Sequence, residues 1–445
     1  MRRLVLAGLC LAAVLAPPAH AAPGQLPSDA SGVATPNVHL VAHAFDVGGA
    51  VSGAFLSPRL YVLSEPDLVW NEGGATVKTV TGGLDVFDTS NPRTPRKIGR
   101  LDLPNYQNED ISVSSARQFA VMSQDTQPGG HGQVNLVDLR TPSKPTVIGS
   151  VALPSGYGHT STLVDHDRYL WTSGGKDVLV VDVRDLTHPK VLGTFPSPAG
   201  SQGTLGGSVH DAEVDRFGDI TVYGSNGVAV HRLGRDPLHP VLVARITAAD
   251  NKANNNLILH GGKRLDANTW LITEESYAPG CTNDGRFETW RLDRKAHLLR
   301  PISSWNAPTG SDQHGPLTQS EYCSSHWFTL NDHDVVADGW YGAGVRFLDV
   351  SNPAHIRPIG VFAGDSTTAS QAVFVPGHDD LVYVADYTRG LDVVSIDHGG
   401  KGARTVVPSD EQTVGGTSVP GLRFTVKLRP HKHWGWSCLT PVAPR

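Results

Sequence analysis

Short runs in which hydrophobic and polar residues alternate recur along most of the chain. The clearest run lies at residues 344–360, with the sequence GVRFLDVSNPAHIRPIG. Its first part has the period of two that is typical of a strand. The following SNP sequence predicts a turn, because Ser351 and Asn352 can bond their own backbone and Pro353 withholds a backbone donor. The remainder predicts a second strand, so the run is one β-hairpin.

The same hairpin pattern returns at intervals. Close copies lie at residues 83–99, 133–149 and 177–193, weaker copies at 227–243 and 286–302, and a shortened copy at 390–396. The residues that end the first strand of each copy are 44 to 59 positions apart: Asp88, Asp138, Asp182, Arg232, Arg291, Asp349 and Ser395. Repeats of this length that contain only strand patterns predict the blades of a β-propeller.

The two ends of the repeat array predict how the ring closes. Residues 39–46 read as a strand with no partners before it, whereas residues 368–396 supply three strands of a last blade. Pairing these segments would remove two sheet edges. The predicted fold class is therefore all-β, a seven-bladed β-propeller at residues 37–396 closed by an N-terminal strand. Residues 22–36 are expected to form a disordered leader and residues 397–445 a C-terminal extension.

Residues 1–21 have the pattern of a secretory signal peptide. Arg2 and Arg3 precede an apolar run, and an Ala-His-Ala sequence at 19–21 offers a cleavage site. The mature chain is therefore expected to be secreted. Cleavage removes two positive charges from the formal net charge of -6 and leaves -8, which argues against nucleic acid as a partner. No other apolar run is long enough to span a membrane, and a monomer is expected.

The repeat unit also resembles a known family. The strand and turn LDVSNPxxxxPIG, together with VYVADYTRGLDVV at residues 382–394, resembles the LVIVD repeat of bacterial cell-surface and secreted proteins. The resemblance covers most of residues 40–396 and implies an extracellular β-propeller. It implies no single activity, because these families have none. Arg232 and Arg291 stand where the motif has Asp.

One aligned position of the repeat is rich in histidine. Ten residues before an apolar residue of each second strand stand, in order, Ala50, Glu109, His159, His210, His260, His326 and Gln371. The innermost strands of a propeller surround its axis, so one such column becomes a ring of converging side chains. Imidazoles that converge with a carboxylate are ligands for copper or zinc. The column predicts a transition-metal site at His159, His210, His260, His326 and Glu109; a hydrated polar channel is the alternative interpretation.

A second column ends the second strands. Glu65, Gln124, Glu275 and Asp386 each follow the first column by fifteen residues, and Asp338 holds the same place if its turn is shorter. With Gln371, these residues are candidates for groups that orient the imidazoles or act as general acids. The alternative is structural, since Asp and Glu before a turn commonly bond the backbone of that turn.

Three cysteines follow the signal peptide, and sequence alone allows three pairings of Cys281, Cys323 and Cys438. Cys281 and Cys323 fall in loops of adjacent blades on the same face of the ring, so a disulfide between them is expected. Cys438 could form a second metal site with His431 and His433, or the tail could serve only for packing.

Three functional hypotheses follow from this pattern. The first is a secreted protein that binds a metal ion or a small polar ligand at the axial histidines. The second is a metal-dependent, copper-containing oxidoreductase, because the axial histidines are similar in arrangement to those of the methanethiol oxidase and selenium-binding protein family. The third is a cell-surface scaffold that binds a protein or a glycan. The chain contains no GxSxG, HExxH, P-loop or EF-hand pattern.

Overall fold

The computed structural model describes residues 31–44, 47, 49–72, 75–104, 110–125, 131–200, 208–246, 258–276, 280–281, 284–308, 322–365, 367–415, 417–419, 427–430 and 439–442. Several sequence predictions lie outside these residues: the signal peptide at 1–21, the first part of the leader at 22–30, Glu109, and the tail residues His431, His433 and Cys438.

The described chain is built almost entirely of β-strands. Two strands precede the first sheet: β1 (Ser31–Ala34) and β2 (Val38–Ala44). The first sheet contains β3 (Ser52–Ser57), β4 (Leu60–Glu65), β7 (Gly83–Asp88) and β8 (Arg96–Asp102), with the inserted hairpin β5 (Leu68–Glu72) and β6 (Ala75–Val80) between β4 and β7.

Three further antiparallel sheets follow in chain order. The second contains β9 (Ser112–Ser114), β10 (Phe119–Gln124), β11 (Gln133–Asp138) and β12 (Thr146–Ala152). The third contains β13 (Ser161–Val164), β14 (Tyr169–Thr172), β15 (Val178–Asp182) and β16 (Lys190–Phe195). The fourth contains β17 (Val209–Val214), β18 (Asp219–Gly224), β19 (Gly227–Arg232) and β20 (Val241–Arg245).

The remaining sheets complete the array. The fifth contains β21 (Ile258–Arg264), β22 (Thr269–Glu275), β24 (Phe287–Asp293) and β25 (Leu298–Trp305), and β23 (Gly280–Cys281) pairs with β26 (Tyr322–Cys323). The sixth contains β27 (Phe328–Leu330), β28 (Val335–Gly339), β29 (Val345–Asp349) and β30 (Arg357–Gly364). The seventh contains β31 (Ala369–Phe374), β32 (Leu381–Asp386) and β33 (Gly390–Ile396).

The C-terminal segment adds short elements. Two 3₁₀ turns at Asp397–Gly400 and Pro408–Asp410 lead to β34 (Gln412–Gly415), β35 (Thr417–Val419), β36 (Lys427–Pro430) and β37 (Leu439–Val442). No helix within the described ranges has the length and apolar character that crossing a membrane requires.

The fold is an all-β propeller, as the repeat predicts. The ring closes as expected, because β2 pairs antiparallel with β33 from Val38–Ile396 to Ala44–Leu391 and supplies the fourth strand of the last sheet. The described strands group into seven units of four when β2 is counted with the seventh unit and the eight-stranded sheet is divided at its single β20–β25 bridge. Apolar residues of neighbouring units pack between the sheets, for example Phe119 and Val121 against Leu170 and Val181.

The N-terminal boundary differs from the prediction. Residues 22–36 are predicted as a disordered leader, yet Ser31–Ala34 form β1, which pairs with β30 on one side and β34 on the other. The chain is ordered here because both edges of β1 receive backbone hydrogen bonds, from segments more than 300 residues later in the sequence. A local composition of small and polar residues does not show such partners.

The repeat motif has a clear structural role. The Asp at the end of the third strand accepts a hydrogen bond from the amide two residues later and so fixes the turn. This bond measures 2.9 Å at Asp88, 2.9 Å at Asp138, 3.0 Å at Asp182 and 3.0 Å at Asp349. The motif glycine allows the next blade to pack closely: a Cβ at Gly99 would lie 2.2 Å from the Pro142 carbonyl oxygen, and one at Gly149 would lie 2.0 Å from that of Leu186.

A buried charge network joins the two ends of the chain within the closing sheet. The Asp392 carboxylate accepts from His43 Nδ1 at 2.7 Å and from Arg389 Nε at 2.7 Å, and all three side chains are at most 1% exposed. Burial opposes ionisation of Asp392, but Arg389 and His43 outweigh it and hold the pKa of this carboxyl well below its usual range. The network therefore favours ring closure while Asp392 stays ionised.

We predict that Asp392→Asn lowers the free energy of unfolding by about 3 kcal/mol or more, because it leaves Arg389 buried without its counter-charge. The matched control is Asp397→Asn, which alters a hydrogen bond to His39 between the same chain ends, but one whose partners are both 51% exposed. The control should cost less than about 1 kcal/mol. Urea unfolding measures both.

The pH dependence has a defined sign. Because folding lowers the pKa of Asp392, its contribution is fully present above the unfolded-state pKa of about 3.9 and is lost as the pH falls towards the folded-state pKa. The stability difference between the wild type and Asp392→Asn should therefore shrink below about pH 4. A difference that is constant between pH 7 and pH 3 would contradict this assignment.

The expected disulfide is present between Cys281 and Cys323, which are 42 residues apart. We predict that the Cys281→Ala/Cys323→Ala double variant loses about 4 kcal/mol of stability, since the cross-link restricts the unfolded chain. Thermal melting with and without reductant measures this loss. Reductant should lower the melting temperature of the wild type and leave that of the double variant unchanged.

Candidate metal centre

The four predicted histidines lie in contact with one another at the start of the innermost strands. His159, His210, His260 and His326 come from consecutive blades, and each is at most 2% exposed. The ring centroids are 4.4 Å apart for His159 and His210, 4.2 Å for His210 and His260, and 4.0 Å for His260 and His326. One repeat position thus becomes one continuous cluster.

Two β-bulges direct the central imidazoles into this cluster. In β17, Val209 pairs with Gly224 and Asp211 with Tyr223, so that His210 has no residue opposite it. In β21 the pairing passes in the same way from Leu259 to Gly261 and omits His260. A bulged residue leaves the pleat and its side chain can point away from the sheet faces. The bulges are the local reason that both rings meet at the axis.

The seventh blade repeats this bulge at a different residue. In β31 the pairing passes from Ala369 to Gln371 and omits Ser370. Ser370, not Gln371, therefore occupies the place of the histidines, and the sequence alignment of this last copy is wrong by one residue. Gln371 instead accepts a hydrogen bond from the Gly53 amide at 2.6 Å and lies outside the imidazole cluster.

Glu275 lies at the centre of the cluster. It ends β22 in the fifth blade and is fully buried. Its Oε2 atom is 3.8 Å from His210 Nε2 and 4.0 Å from His260 Nε2, while its Oε1 atom is 3.7 Å from His326 Nε2. The sequence predicts that Glu275 orients the imidazoles. The structure instead places its carboxylate among them, where it is itself a candidate metal ligand.

The two imidazoles at the ends of the cluster, His326 and His159, are oriented by hydrogen bonds at their Nδ1 atoms. His326 Nδ1 donates to the Ser370 carbonyl at 2.7 Å, which leaves the Nε2 lone pair directed towards Glu275. His159 Nδ1 contacts Asp125 Oδ2 at 3.1 Å, and its Nε2 is 2.9 Å from His210 Nε2. Bonds of this kind at Nδ1 fix the ring orientation and tautomer that metal ligation through Nε2 needs.

Tyr341 fixes the Glu275 carboxylate. The buried Tyr341 hydroxyl donates to Glu275 Oε1, and its ring is 4.5 Å from that of His326. Tyr341 has a φ of 41°, which is strained for a bulky residue, and two backbone hydrogen bonds to Ala369 at 2.9 and 3.0 Å hold it there. The arrangement leaves Oε2 directed towards His210 and His260.

The other residues of the second column form hydrogen bonds to backbone amides or form ion pairs. Asp338 accepts from the Ser325 hydroxyl and from the His326 amide, so it supports the segment that carries His326, and burial raises its pKa. Asp386 accepts from the Thr388 amide and so stabilises its own turn.

Glu65 lies away from the imidazoles as well. It pairs with Arg100 at 2.6 Å, and burial, followed by the proximity of Asp85, raises the pKa of its carboxyl well above the usual value. The structural interpretation, a bond to the backbone of the turn, therefore describes Asp386, whereas Glu65 forms an ion pair with Arg100. Asp338 acts on the site through the His326 amide.

Sequence reasoning missed two residues of the site. Asp125 directly follows Gln124, the second-column residue of its blade, so it lies one position after the column that the repeat identifies. Tyr341 lies in a turn after β28 and belongs to no repeat column, so the pattern contains no signal for it. Glu109, the predicted carboxylate ligand, lies outside the described residues, and Glu275 supplies the carboxylate that the structure describes.

The geometry of the donors suits a small ion. One ring nitrogen of His210, one ring nitrogen of His260 and a Glu275 oxygen all lie within 4.8 Å of one another. Zinc bonds to nitrogen and oxygen of about 2.0–2.1 Å place tetrahedral ligand atoms roughly 3.4 Å apart. Glu275 Oε2 lies 3.8 Å from His210 Nε2 and 4.0 Å from His260 Nε2, so both separations are slightly above that value.

Comparison with known proteins supports the fold alone. The chain is similar to a protein from Lactobacillus plantarum (11% identity over 81% of this chain and 97% of that one, TM-score 0.57). It is also similar to a putative 6-phosphogluconolactonase from Bacteroides fragilis (11%, 81% and 97%, TM-score 0.53) and to the WD40 repeats of RRP9 (10%, 82% and 99%, TM-score 0.53). No protein-family model and no curated protein matches the chain.

We predict that Tyr341→Phe weakens zinc or copper binding by about 10- to 100-fold, because the variant keeps the ring and loses the bond that orients Glu275. Competition with a chromogenic chelator measures the affinity. Tyr61→Phe is the matched control, since Tyr61 is equally buried but packs against Phe55 and Tyr383. Equal affinities for Tyr341→Phe and the wild type would contradict an orienting role for Tyr341.

Proposed function

We propose that this protein binds one divalent transition-metal ion, zinc or copper, at His210, His260 and Glu275. His159 and His326 are the adjacent donors. The observation that carries the proposal is the convergence of two imidazoles and one carboxylate, all buried, with their ligand atoms within 4.8 Å of one another. Imidazole nitrogen with carboxylate oxygen is a donor set that suits both metals.

The packing of the cluster favours an ion over an organic ligand. Centroid separations of 4.0–4.4 Å mean that neighbouring imidazoles are already in van der Waals contact. A polar organic molecule would have to separate these rings, whereas a metal ion fits between their nitrogen atoms. The ion is therefore the ligand of the proposed site, and the small polar ligand of the sequence hypothesis is not supported by this packing.

Burial gives the proposal an energetic basis. Removing an imidazole or a carboxylate from water is unfavourable unless the group is compensated by bonds. A divalent ion would compensate the Glu275 charge and the nitrogen lone pairs at once. The cystine Cys281–Cys323 supports an exported location for this site, because disulfides persist in oxidising compartments.

The binding hypothesis and the oxidoreductase hypothesis share this site. Zinc has no redox chemistry and would make it a binding or structural centre. Copper would supply one-electron chemistry. In either case the described residues would hold the ion through Nε2 of His210 and His260, with the Glu275 carboxylate oriented by Tyr341.

The experiment is elemental analysis of the full chain after expression without a histidine tag and purification without chelator. We expect about one zinc or copper per chain, and a loss of at least ten-fold in affinity in His210→Ala and in His260→Ala. The control variants are His188→Ala and His239→Ala, whose exposed rings bond residues of their own turns: Asp185 and Thr187 for His188, and Asp236 for His239. They should bind metal as the wild type does.

Thermal melting provides a second readout. A ligand present at 100 times its dissociation constant stabilises the folded state by about 2.7 kcal/mol, so added metal should raise the melting temperature of the chelator-treated wild type. Folded wild-type protein that takes up neither zinc nor copper, and whose melting temperature neither metal changes, would overturn the proposal.

A further inference from the structure

A second polar cluster lies immediately beyond the imidazoles in the same inner strands. Asp211 follows His210 directly in β17, and its side chain is on the face of the sheet that looks towards the fifth blade, with its cross-strand neighbour Tyr223. Asp211 is 1% exposed and Tyr223 is fully buried. None of these groups takes part in the proposed transition-metal site.

Three buried oxygen atoms in this cluster have few partners. Apart from the neighbouring Ala212 amide, neither carboxylate oxygen of Asp211 has a hydrogen-bond partner in the described part of the chain. The Tyr223 hydroxyl makes no hydrogen bond there either, apart from its approach to Thr221. Buried polar oxygens are nearly always bonded, so a cluster of this kind calls for an occupant.

The charges around Asp211 indicate the sign of that occupant. Glu213 follows on the same strand face, and Asp110 reaches the cluster from the second blade, where it bridges to Thr160, the residue after His159. Lys263 of the fifth blade is the nearby cation, and its Nζ atom is 2.6 Å from Glu213 Oε1. The Lys263 ammonium is therefore already bonded to Glu213, and no ion pair to Asp211 is formed within the described part of the chain.

The backbone of the facing strand β21 approaches the Tyr223 hydroxyl closely, because a Cβ on Gly262 would lie 2.8 Å from that oxygen. Oxygen donors with excess negative charge suit hard cations, and magnesium in particular keeps several waters and needs only one or two protein carboxylates.

We propose that Asp211, with the Tyr223 hydroxyl beside it, binds a hydrated hard divalent cation, magnesium or calcium, between the inner strands of the fourth and fifth blades. The oxygen ligands distinguish this site from the imidazole cluster one residue earlier in β17. The ion would balance the Asp211 carboxylate and would supply, through its waters, hydrogen bonds to its oxygens. This site does not depend on metal being bound at the histidines.

The experiment uses terbium as a luminescent probe for hard-cation sites, with Tyr223 as the antenna. Full-length protein is first saturated with zinc so that the histidines are not free, and terbium is then titrated. We expect saturable emission that calcium or magnesium displaces, and at least ten-fold weaker binding in Asp211→Asn. Asp266→Asn is the matched control, since Asp266 is exposed and bonds the amide of its own turn. It should titrate as the wild type does.

Melting temperatures give an independent test. Chelator should lower the melting temperature of the wild type and leave that of Asp211→Asn unchanged, because only the wild type has an ion to lose. In chelator the variant should melt higher than the wild type, since it lacks an uncompensated buried carboxylate. Asp110→Asn, which alters a less buried residue, provides the same comparison if Asp211→Asn does not fold.

Equal terbium titrations of the wild type, Asp211→Asn and Asp110→Asn would overturn this inference. A melting temperature of the wild type that does not change when excess calcium or magnesium is added would also overturn it. The result is separable from the fate of the imidazole site. Protein that takes up no zinc or copper but still shows Asp211-dependent terbium emission supports the hard-cation site alone.

Discussion

Pairing between the first and last strands is the constraint on which the rest of this structure depends. The inner strands of neighbouring blades face each other around the axis only while the ring is closed, and β2 closes it by pairing with β33. Backbone hydrogen bonds supply most of this closure. The buried Asp392 network adds a specific link between the first strand and the last one, and β1 extends the junction to β30 and β34. Loss of this junction would separate the groups at the axis.

Ring closure buries polar side chains at the axis, and their removal from water is unfavourable unless they form bonds within the protein. Four imidazoles and Glu275 lose nearly all contact with water. Such groups are stable in a protein interior only with bonds or counter-charges in place. Ser370, Asp125 and Tyr341 satisfy part of that requirement from within the chain. The proposed transition metal would bind the imidazole nitrogens and the Glu275 carboxylate directly, and it would link the stability of the propeller to its ligand.

Strand β17 carries two chemically different polar groups in consecutive positions. His210 belongs to the imidazole cluster around Glu275, and Asp211 lies across the strand pair from Tyr223. The bulge at His210 is what separates them, because it turns His210 out of the pleat and returns Asp211 to pair with Tyr223. Nitrogen and oxygen donors select different ions, so one inner strand can contribute to both sites without sharing a ligand.

The sequence by itself determined the fold and the identity of the histidines. Strand periodicity and the Asp-to-Gly turn repeat are local signals, and they predicted a β-propeller, its closure by an N-terminal strand, the cluster of His159, His210, His260 and His326, and the disulfide between Cys281 and Cys323. Each of these follows from repetition, because equivalent residues in a ring occupy equivalent places.

Tertiary structure alone decided the features that break the repeat. In the seventh blade, the residue equivalent to the histidines is Ser370 and not Gln371, because the bulge there falls one residue earlier than a uniform register allows. It brought Glu275 among the imidazoles and Tyr341 beside it, and it ordered β1 between two distant strands. Bulges, strained turns and long-range strand pairs depend on partners far away in sequence, so no local pattern of hydrophobic and polar residues records them.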